Sequence, residues 1–172
     1  MRVSVIGSSG SGKTTFGRTL AARLGVAFLE LDSVYHQANW TPLPAEEFRE
    51  RVQEFAAGDA WVIDGNYGAV RPVVLERATT VVWLDYRRSR IMTRVIRRSI
   101  ARAIFRRELW NGNREEFRFF VQPDHPIRWA WAQHHRKRVE YAARFAEPQY
   151  GRLELHRFRT PRDATRWLDA QS

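Results

Sequence analysis

A short run of residues near the start of the chain has the types and spacing that bind a phosphate chain. The run is Gly7-Ser8-Ser9-Gly10-Ser11-Gly12-Lys13-Thr14-Thr15, which contains the pattern G-x-x-x-x-G-K-[S/T]. Its glycines can adopt positive φ angles, so consecutive N–H groups can point inward at phosphate oxygens. Lys13 would contact the β- and γ-phosphates, and the Thr14 hydroxyl would bind Mg²⁺. We therefore expect residues 7–15 to bind a nucleoside triphosphate such as ATP, together with Mg²⁺.

Three aspartates, Asp32, Asp64 and Asp85, follow apolar stretches further along the chain. Open parallel sheets bind ligands outside the carboxyl ends of their strands, so all three side chains could face a bound nucleotide. We expect Asp64 to hold Mg²⁺, because an acid followed directly by Gly65 has no evident structural role. We expect Asp32 to act as a base that orients a substrate hydroxyl, with capping of the next loop as the alternative. Asp85 precedes a helix and could simply cap it.

The hydrophobic pattern alternates strands with helices along the whole chain. Apolar runs predict strands at residues 3–6, 26–31, 60–63, 79–84 and 153–158. Helical periodicity and capping residues predict helices at about 12–24, 44–57, 70–77, 87–107, 127–146 and 161–170, with a loop at 33–43. Short strands that are apolar on both faces and separated by helices predict a doubly wound α/β fold with a parallel sheet.

Size and composition narrow the classes of protein that can carry these motifs. The 172 residues fit a single domain, 1–172, and 44% hydrophobic residues are too many for a disordered chain. Without cysteine the chain cannot form disulfides, thiolate nucleophiles or Cys-ligated metal centres. A mean hydropathy of −0.52 argues against a membrane span. The first strand begins too close to Met1 for a secretory leader, so we expect a cytoplasmic protein with no membrane partner.

Positive charge is concentrated in one stretch of the chain. The formal net charge is +10, and residues 87–118 hold 11 arginines against three glutamates, a net +8. On a helical projection one side carries arginines, at Arg87, Arg90, Arg94, Arg97, Arg98, Arg102 and Arg106. The opposite side carries apolar residues, at Met92, Ile96, Ile100, Ala103 and Ile104. Three interpretations remain open: a lid that closes on ATP, a nucleic-acid-binding surface, or a solvated face in an arginine-rich protein.

Together these motifs resemble the adenylate-kinase-like branch of the P-loop kinases, and within it the DNA topology modulation (FlaR-like) proteins. The resemblance covers nearly the whole chain. It depends on the phosphate-binding run and on three further stretches, Asp64-Gly65-Asn66-Tyr67, Leu84-Asp85 and Trp110-Asn111-Gly112-Asn113-Arg114-Glu115. It implies an α/β P-loop NTPase fold with a five-stranded parallel sheet in the order 2-3-1-4-5, flanked by helices. It also implies an arginine-rich helical lid at about 87–126 and a kinase that uses ATP and Mg²⁺.

The resemblance also suggests residues for the phosphate and acceptor sites. Arg94 and Arg98 match two lid arginines four residues apart, which would clamp the nucleotide phosphates and stabilise the transition state together with Lys13. Arg136 or Arg138 would be a further phosphate ligand. Nucleoside monophosphate kinases end their third strand in Asp-Gly-Phe-Pro-Arg, whereas here other residues follow Asp64-Gly65 and the nearest arginine is at a different spacing. The acceptor-site candidates are Asp32, Asp64, Asn66, Tyr67, Arg71 and Arg136. The loop 33–43, with Tyr35, His36 and Trp40, would help to form the acceptor pocket.

Other residues that could carry chemistry have simpler interpretations. The histidines His125, His134 and His135 lack acidic partners at metal-binding spacing, so we expect surface or packing roles. Four tryptophans, Trp40, Trp110, Trp129 and Trp131, could stack on a base, but packing is the expected role. Trp110 is the exception, because its loop follows the arginine-rich helix. Three functions remain open. The first is an ATP- and Mg²⁺-dependent kinase of a small molecule, with nucleosides and nucleotides among the candidate acceptors. The others are a P-loop ATPase or regulator that binds DNA and modulates its topology, and a protein that binds nucleotide without turnover.

Overall fold

A computed structural model describes residues 1–105, 110–113 and 126–171. Within these ranges, the side chains at 98–99, 102–105 and 126–133 are not described. The stretch expected to form a lid, 87–126, therefore lies partly outside the described residues, at 106–109 and 114–125. In the described part of the chain, no helix combines the length and the apolar character needed to cross a membrane.

A parallel sheet with helices on both faces forms the centre of the molecule, as the sequence predicts. The strands are β1 Arg2–Gly7, β2 Ala27–Glu30, β3 Trp61–Asp64, β4 Thr80–Leu84 and β5 Glu154–Phe158. The helices are α1 Lys13–Leu24, α2 Leu31–Tyr35, α3 Ala45–Ala56, α4 Arg71–Arg77, α5 Arg88–Phe105, α6 Pro126–Phe145 and α7 Pro161–Asp169. The strand order is β2-β3-β1-β4-β5 and every pairing is parallel, which confirms the predicted topology. Most of these bounds agree with the expected ones to within two residues.

Alternation of side chains along the central strands divides the core into two layers. Ile6, Ile63 and Trp83 face one layer, which packs against α3, α4 and α6. Val5 and Val62 face the other layer, which packs against α1, α5 and α7. Because both faces are covered, the three central strands β3, β1 and β4 are almost entirely buried. Because they pair in parallel, their carboxyl ends all lie at one edge of the sheet. That edge is where the predicted phosphate-binding run begins.

Two parts of the expected architecture are wrong in detail. Strand β2 ends at Glu30, so Asp32 does not end a strand but lies in α2. The expected loop 33–43 contains the end of that helix and a 3₁₀ turn at Ala38–Trp40. The first correction arises because Leu31 begins helix α2 and is buried from that position, so its apolar side chain does not extend the strand.

The apolar side of α5 also differs from the helical projection. Ile91, Met92 and Val95 are buried, whereas Ile96 and Ile100 are 39% and 43% exposed. The buried side of α5 is therefore formed by its first two turns, around Ile91 and Val95, and not by the side that the projection indicates. Of the expected apolar set, Met92 is confirmed in the core. Ala103 and Ile104 lie in the helix, but their side chains are outside the described part.

Candidate functional site

The phosphate-binding run forms a tight loop between β1 and α1. Gly10 and Gly12 have φ angles of 83° and 92°, which a side chain would strain. Gly10 also has no room for a Cβ, because Val95 of α5 packs directly against it. Gly12 precedes the first residue of α1, and no side chain caps that end of the helix. The backbone N–H groups of the first turn of α1 can therefore bind an anion.

Lys13 and Thr14 begin helix α1 and face different partners. Lys13 Nζ lies 3.5 Å from the Ser8 carbonyl oxygen, so its ammonium lies over the loop. The Thr14 hydroxyl lies 2.6 Å from Asp64 Oδ2 and 3.1 Å from Glu30 Oε1. The hydroxyl has one proton and can donate to one carboxylate at a time. The two residues that the sequence analysis assigned to Mg²⁺ therefore lie in direct contact.

Glu30 is a site residue that the sequence analysis missed. It is 7% exposed, and Arg18 pairs with it at 3.0 Å. Parallel pairing places Glu30 beside Asp64 on neighbouring strands, so two carboxylates end at the same level of the sheet. The available signal was an acid at the end of an apolar run, but the strand was expected to continue through Leu31. That expectation directed attention to Asp32 instead.

The environment of Asp64 suits a hard divalent cation. Burial raises the pKa of Asp64 to about 6, while the Lys13 charge and the Thr14 hydrogen bond act in the opposite direction. Its Oδ1 atom is buried and has no hydrogen-bond partner among the described residues. Within those residues, no group of three or more His, Asp and Glu side chains could hold a metal by itself. Thr14 and Asp64 offer oxygen ligands of the kind that Mg²⁺ binds beside nucleotide phosphates and water.

Asp32 lies at the end of a short chain of polar contacts. Tyr67 donates its hydroxyl to Asp32 Oδ1 at 2.5 Å, and His36 Nε2 lies 3.5 Å from the same hydroxyl. Burial, and secondarily the Asp32 charge, raise the pKa of Tyr67, so it stays a protonated donor. Burial lowers the pKa of His36, with the Asp32 charge opposing this. Asp32 also contributes to the raised pKa of Asp64, so the two carboxylates are close enough to interact.

Of the two expected lid arginines, the structure describes one side chain. Arg94 Nη1 donates to the Ser11 carbonyl oxygen at 3.0 Å, and its guanidinium lies 5.8 Å from the centre of the Tyr86 ring. Arg94 therefore reaches the phosphate-binding loop from α5. Arg98 lies one turn further along the helix, but its side chain is outside the described part.

Asn66 and Arg71 meet at the carboxyl edge of β3, where the sequence analysis placed acceptor candidates. Arg71 Nε donates to Asn66 Oδ1 at 2.6 Å, and Arg71 Nη1 lies 3.4 Å from Glu140 Oε1 on α6. Burial lowers the pKa of Arg71, and the Arg144 charge adds to the effect. Arg71 is therefore anchored by its own neighbours beside the same pocket that Tyr67 lines.

Helix α6 supplies a second lysine that the sequence analysis did not place in the site. Burial lowers the pKa of Lys137 to about 8, and the next largest cause is the positive charge of Lys13. The only two lysines among 29 basic residues thus lie within electrostatic range of each other. The neighbouring Arg136, an expected phosphate ligand, is exposed on α6 and adds to this effect on Lys137. A signal for Lys137 was its identity, since lysine is so rare in this chain.

Asp85 belongs to an ion cluster at the carboxyl edge of the sheet, directly after β4. Its Oδ2 accepts from Arg138 Nε at 3.1 Å and from Arg157 Nη2 at 2.7 Å. The Arg157 guanidinium also lies 4.0 Å from the centre of the Trp83 ring. The hydrogen bonds of Asp85 thus join β4 to α6 and β5, and they occupy Arg138, one of the two expected phosphate ligands on α6.

The remaining histidines and tryptophans differ in their surroundings. His134 is 7% exposed, and its Nε2 lies 3.0 Å from the Tyr86 carbonyl oxygen, which supports the packing role, while His135 is exposed. Trp40 and Trp110 contact His36 beside the loop that follows β2. His125 lies outside the described residues, as do the side chains of Trp129 and Trp131.

Comparison with known proteins gives sequence similarity over about half of the chain. A family model for shikimate kinase matches residues 9–65. A shikimate kinase of Symbiobacterium thermophilum is 38% identical over 100 residues, which cover 49% of this chain and 58% of that protein. A shikimate kinase of Moorella thermoacetica is 35% identical over 100 residues, which again cover 49% of this chain and 58% of that protein. The match therefore spans little more than half of each relative.

The fold comparison covers almost the full chain. The crystal structure of a shikimate kinase from Bacteroides thetaiotaomicron matches with a TM-score of 0.52 and 17% identity, over 98% of this chain and 94% of that one. At this identity the likeness shows the fold alone. None of these matches carries a DNA-related name, so they lend no support to the likeness with topology modulation proteins or to the DNA alternative. The chain has the α/β P-loop fold seen in shikimate kinase, and the matched part of its sequence is similar to small-molecule kinases of that family.

Proposed function

We propose that this protein is a phosphotransferase that moves the γ-phosphoryl group of ATP to a hydroxyl group of a small molecule, with Mg²⁺ as cofactor. The observation that carries the proposal is the Thr14 hydroxyl, 2.6 Å from the buried Asp64 carboxylate at the end of the phosphate-binding loop. Asp32 lies close enough to affect the charge state of Asp64. In this proposal Asp32 is the base, and Thr14 with Asp64 forms the magnesium site, the two roles that transfer to a hydroxyl requires.

The nucleotide side of the reaction depends on positioning and charge. We assign residues 7–15 to the triphosphate, with Lys13 at the β- and γ-phosphates and the α1 amides as further donors. Thr14 and Asp64 are the proposed magnesium ligands, and bound Mg²⁺ would neutralise charge on the β- and γ-phosphates. Arg94, which already contacts the loop at Ser11, would stabilise the charge of the transferring group, with Arg98 as its proposed partner.

The acceptor side depends on Asp32. The Tyr67 hydrogen bond occupies its Oδ1 atom, which leaves the other oxygen for an acceptor hydroxyl. In the proposed step that hydroxyl gives its proton to Asp32 as its oxygen bonds to the γ-phosphorus. The bond from the γ-phosphorus to the bridging oxygen of ADP breaks, and ADP leaves with the bonding electrons. The protonated Asp32 then returns its proton to solvent when the phosphorylated product leaves.

The relatives suggest which acceptor to test first. Their printed name is shikimate kinase, so shikimate, a hydroxylated ring with a carboxylate, is the first candidate acceptor. The cations Arg71, Arg136 and Lys137 favour an acceptor that carries negative charge. A nucleoside or nucleotide remains a second candidate. The hydrogen bond from Arg71 to Asn66 and its pair with Glu140 would compete with binding of a nucleotide phosphate by Arg71.

The test is ADP formation from Mg·ATP by the purified protein. Separate reactions contain shikimate, adenosine, AMP, double-stranded DNA or no addition, and the phosphorylated product is identified by mass spectrometry. We expect one small acceptor to raise ADP formation with equimolar product, and Asp32→Asn to abolish that increase. Asp59→Asn, an exposed change at the opposite edge of the sheet, is the matched control and should behave as wild type. Turnover stimulated by DNA, with no small acceptor, would contradict the proposal.

A further inference from the structure

Residues 110–113 hold the loop at 33–40 through side-chain amides. Asn113 is 5% exposed; its Oδ1 accepts from the Trp40 N–H at 2.8 Å, and its Nδ2 donates to the Gln37 carbonyl oxygen at 2.8 Å. Asn111 Nδ2 donates to the carbonyl oxygens of His36 and Ser33, at 2.5 Å and 3.3 Å. Two asparagines therefore satisfy backbone groups of a loop that is more than 70 residues away in sequence.

The same contacts hold an unusual backbone. Asn39, Trp40 and Asn111 have φ angles between 53° and 59°, and they are the only non-glycine residues with positive φ in the described part of the chain. A bulky residue such as Trp40 seldom adopts this conformation without surrounding contacts that enforce it. Such strain persists where the surrounding structure over-determines it, commonly at ligand-binding sites. All three strained residues lie in the two segments that the asparagines join.

This strained conformation brings three rings together. His36 and Trp110 are nearly parallel, with ring centres 5.8 Å apart and 21° between planes. The Trp40 ring stands edge-on to both, 5.5 Å from His36 and 6.4 Å from Trp110. All three residues are partly exposed, so the rings present a surface and are not core. We call His36, Trp40 and Trp110 the aromatic wall.

The aromatic wall adjoins the proposed acceptor base. His36 Nε2 lies 3.5 Å from the Tyr67 hydroxyl, and that hydroxyl is bonded to Asp32. A molecule that offers a hydroxyl to Asp32 would therefore lie near His36, the ring of the wall that contacts Tyr67. Aromatic side chains give large, rigid contact surfaces for the face of a ring.

We propose that residues 110–113 determine acceptor specificity, by holding the aromatic wall where it contacts the ring of a cyclic alcohol. This inference rests on the proposed kinase function and assigns a role to a segment that the kinase chemistry does not use. In it, Trp110 contacts the acceptor directly, whereas Asn111 and Asn113 are positioning residues that act through the loop 33–40. An open-chain polyol would gain little from the wall, because it offers no ring face.

The experiment first measures acceptor preference in the wild-type protein. ADP formation is followed with two cyclic acceptors, shikimate and adenosine, and with two open-chain acceptors, gluconate and glycerol. No turnover with any small acceptor would refute the proposed function itself. Turnover with a cyclic acceptor and a kcat/KM at least about tenfold lower for open-chain acceptors is the expected result.

The second step compares variants of the wall with matched controls. Trp110→Leu should raise KM for the cyclic acceptor about tenfold and leave KM for ATP within about twofold. Trp110→Phe keeps a ring and should restore most of the affinity. Asn113→Asp loses both amide donors but keeps the acceptor for Trp40, and should raise the same KM. Controls are Trp167→Leu, in the ring cluster with Phe16 and Phe158, and Gln149→Ala, an exposed amide near the start of β5.

The outcomes separate acceptor binding from general loss of structure. Thermal unfolding of each variant is measured alongside the kinetics. Trp167→Leu should lower the melting temperature without changing the ratio of cyclic to open-chain kcat/KM. If Trp110→Leu and Asn113→Asp are folded and keep the wild-type ratio and acceptor KM, the inference is wrong. Should Trp110→Leu fail to fold, Trp110→Phe and Asn113→Asp decide the matter by the same ratio.

Discussion

The Thr14 hydroxyl and the Asp64 carboxylate lie 2.6 Å apart, although 50 residues separate them in the chain. One begins helix α1 and the other ends strand β3, so their contact joins the phosphate-binding loop to the carboxyl edge of the sheet. The contact also leaves Asp64 Oδ1 buried and unpartnered within the described residues. A buried carboxylate kept in this condition reduces stability, which makes its role testable by stability and activity together.

Replacing Asp64 with asparagine should stabilise the fold and impair the reaction. The pKa of Asp64 rises from 3.8 to about 6, so the folded protein binds this proton more tightly than the unfolded chain does. The stability that the protonated Asp64 carboxyl provides at low pH is therefore lost as pH rises from about 4 to 6. At pH 7.5 this loss amounts to at most about 3 kcal/mol. We expect Asp64→Asn to raise the free energy of unfolding by about 1–3 kcal/mol at pH 7.5 and to lower kcat about 10–100-fold.

Urea unfolding at pH 5 and pH 7.5 tests this expectation. At pH 5 wild-type Asp64 is mostly protonated, so the gain from asparagine should shrink. The exposed Asp59→Asn is the control and should alter stability little at either pH. If Asp64→Asn lowers the free energy of unfolding by the same amount at both pH values, the fold tolerates the charge of Asp64 well and the expectation is wrong.

Arg94 should contribute to rate far more than to stability. It is exposed on α5, yet its guanidinium donates to the loop at Ser11, where the triphosphate is proposed to bind. Arginines that stabilise a transferring phosphoryl group contribute about 10³–10⁵ in kcat, so we expect Arg94→Ala to lower kcat by at least about 10³. Steady-state ADP formation measures this. Arg97→Ala, an exposed change on the same helix, is the control, and an equal effect there would indicate a diffuse effect of charge.

Lys137 should take up a proton when ATP binds. Burial and the Lys13 charge lower its pKa to about 8, so about half of these side chains are neutral at pH 8. Triphosphate bound against Lys13 adds negative charge nearby and raises the pKa, so binding at pH 8 should consume up to about half a proton, and much less at pH 6.5.

Calorimetry in two buffers of different ionisation enthalpy measures the proton uptake. Lys137→Gln should abolish the difference between buffers at pH 8, whereas Arg136→Gln, at the adjacent exposed position, should retain it. The same proton uptake in Lys137→Gln as in wild type would assign it to another group.

Asp85 should matter for stability. Its side chain is 3% exposed and is paired with Arg138 and Arg157, whose side chains are 40% and 30% exposed. Asp85→Ala leaves these two guanidinium groups without their shared partner, and we expect a loss of about 2–3 kcal/mol, less than for fully buried pairs. Asp169→Ala, which breaks the exposed pair with Arg23, should cost under about 1 kcal/mol. Equal losses in urea unfolding would contradict the difference in burial.

Much of the fold could be predicted because its signals are local. The glycine-rich loop, the apolar strands and the capping residue Gly25 each act through neighbouring residues, by φ freedom or by hydrophobic period. The strand order was expected only from the resemblance to P-loop kinases, since local pattern does not specify which strands pair. The end of β2 was placed wrongly because an apolar residue such as Leu31 packs equally well in a strand or in the helix that follows.

The sequence by itself determined the glycine-rich loop with its Lys13-Thr14 pair, which predicts phosphate and magnesium binding, and the alternation of strands and helices. Tertiary structure alone decided that Glu30 joins Thr14, that Asp85 pairs with Arg138 and that Asn113 holds Trp40. Each of these pairs depends on strand register and helix packing, which arise from the combined burial of many residues. A residue's type limits which partners it accepts, but only the folded chain sets which one comes within reach.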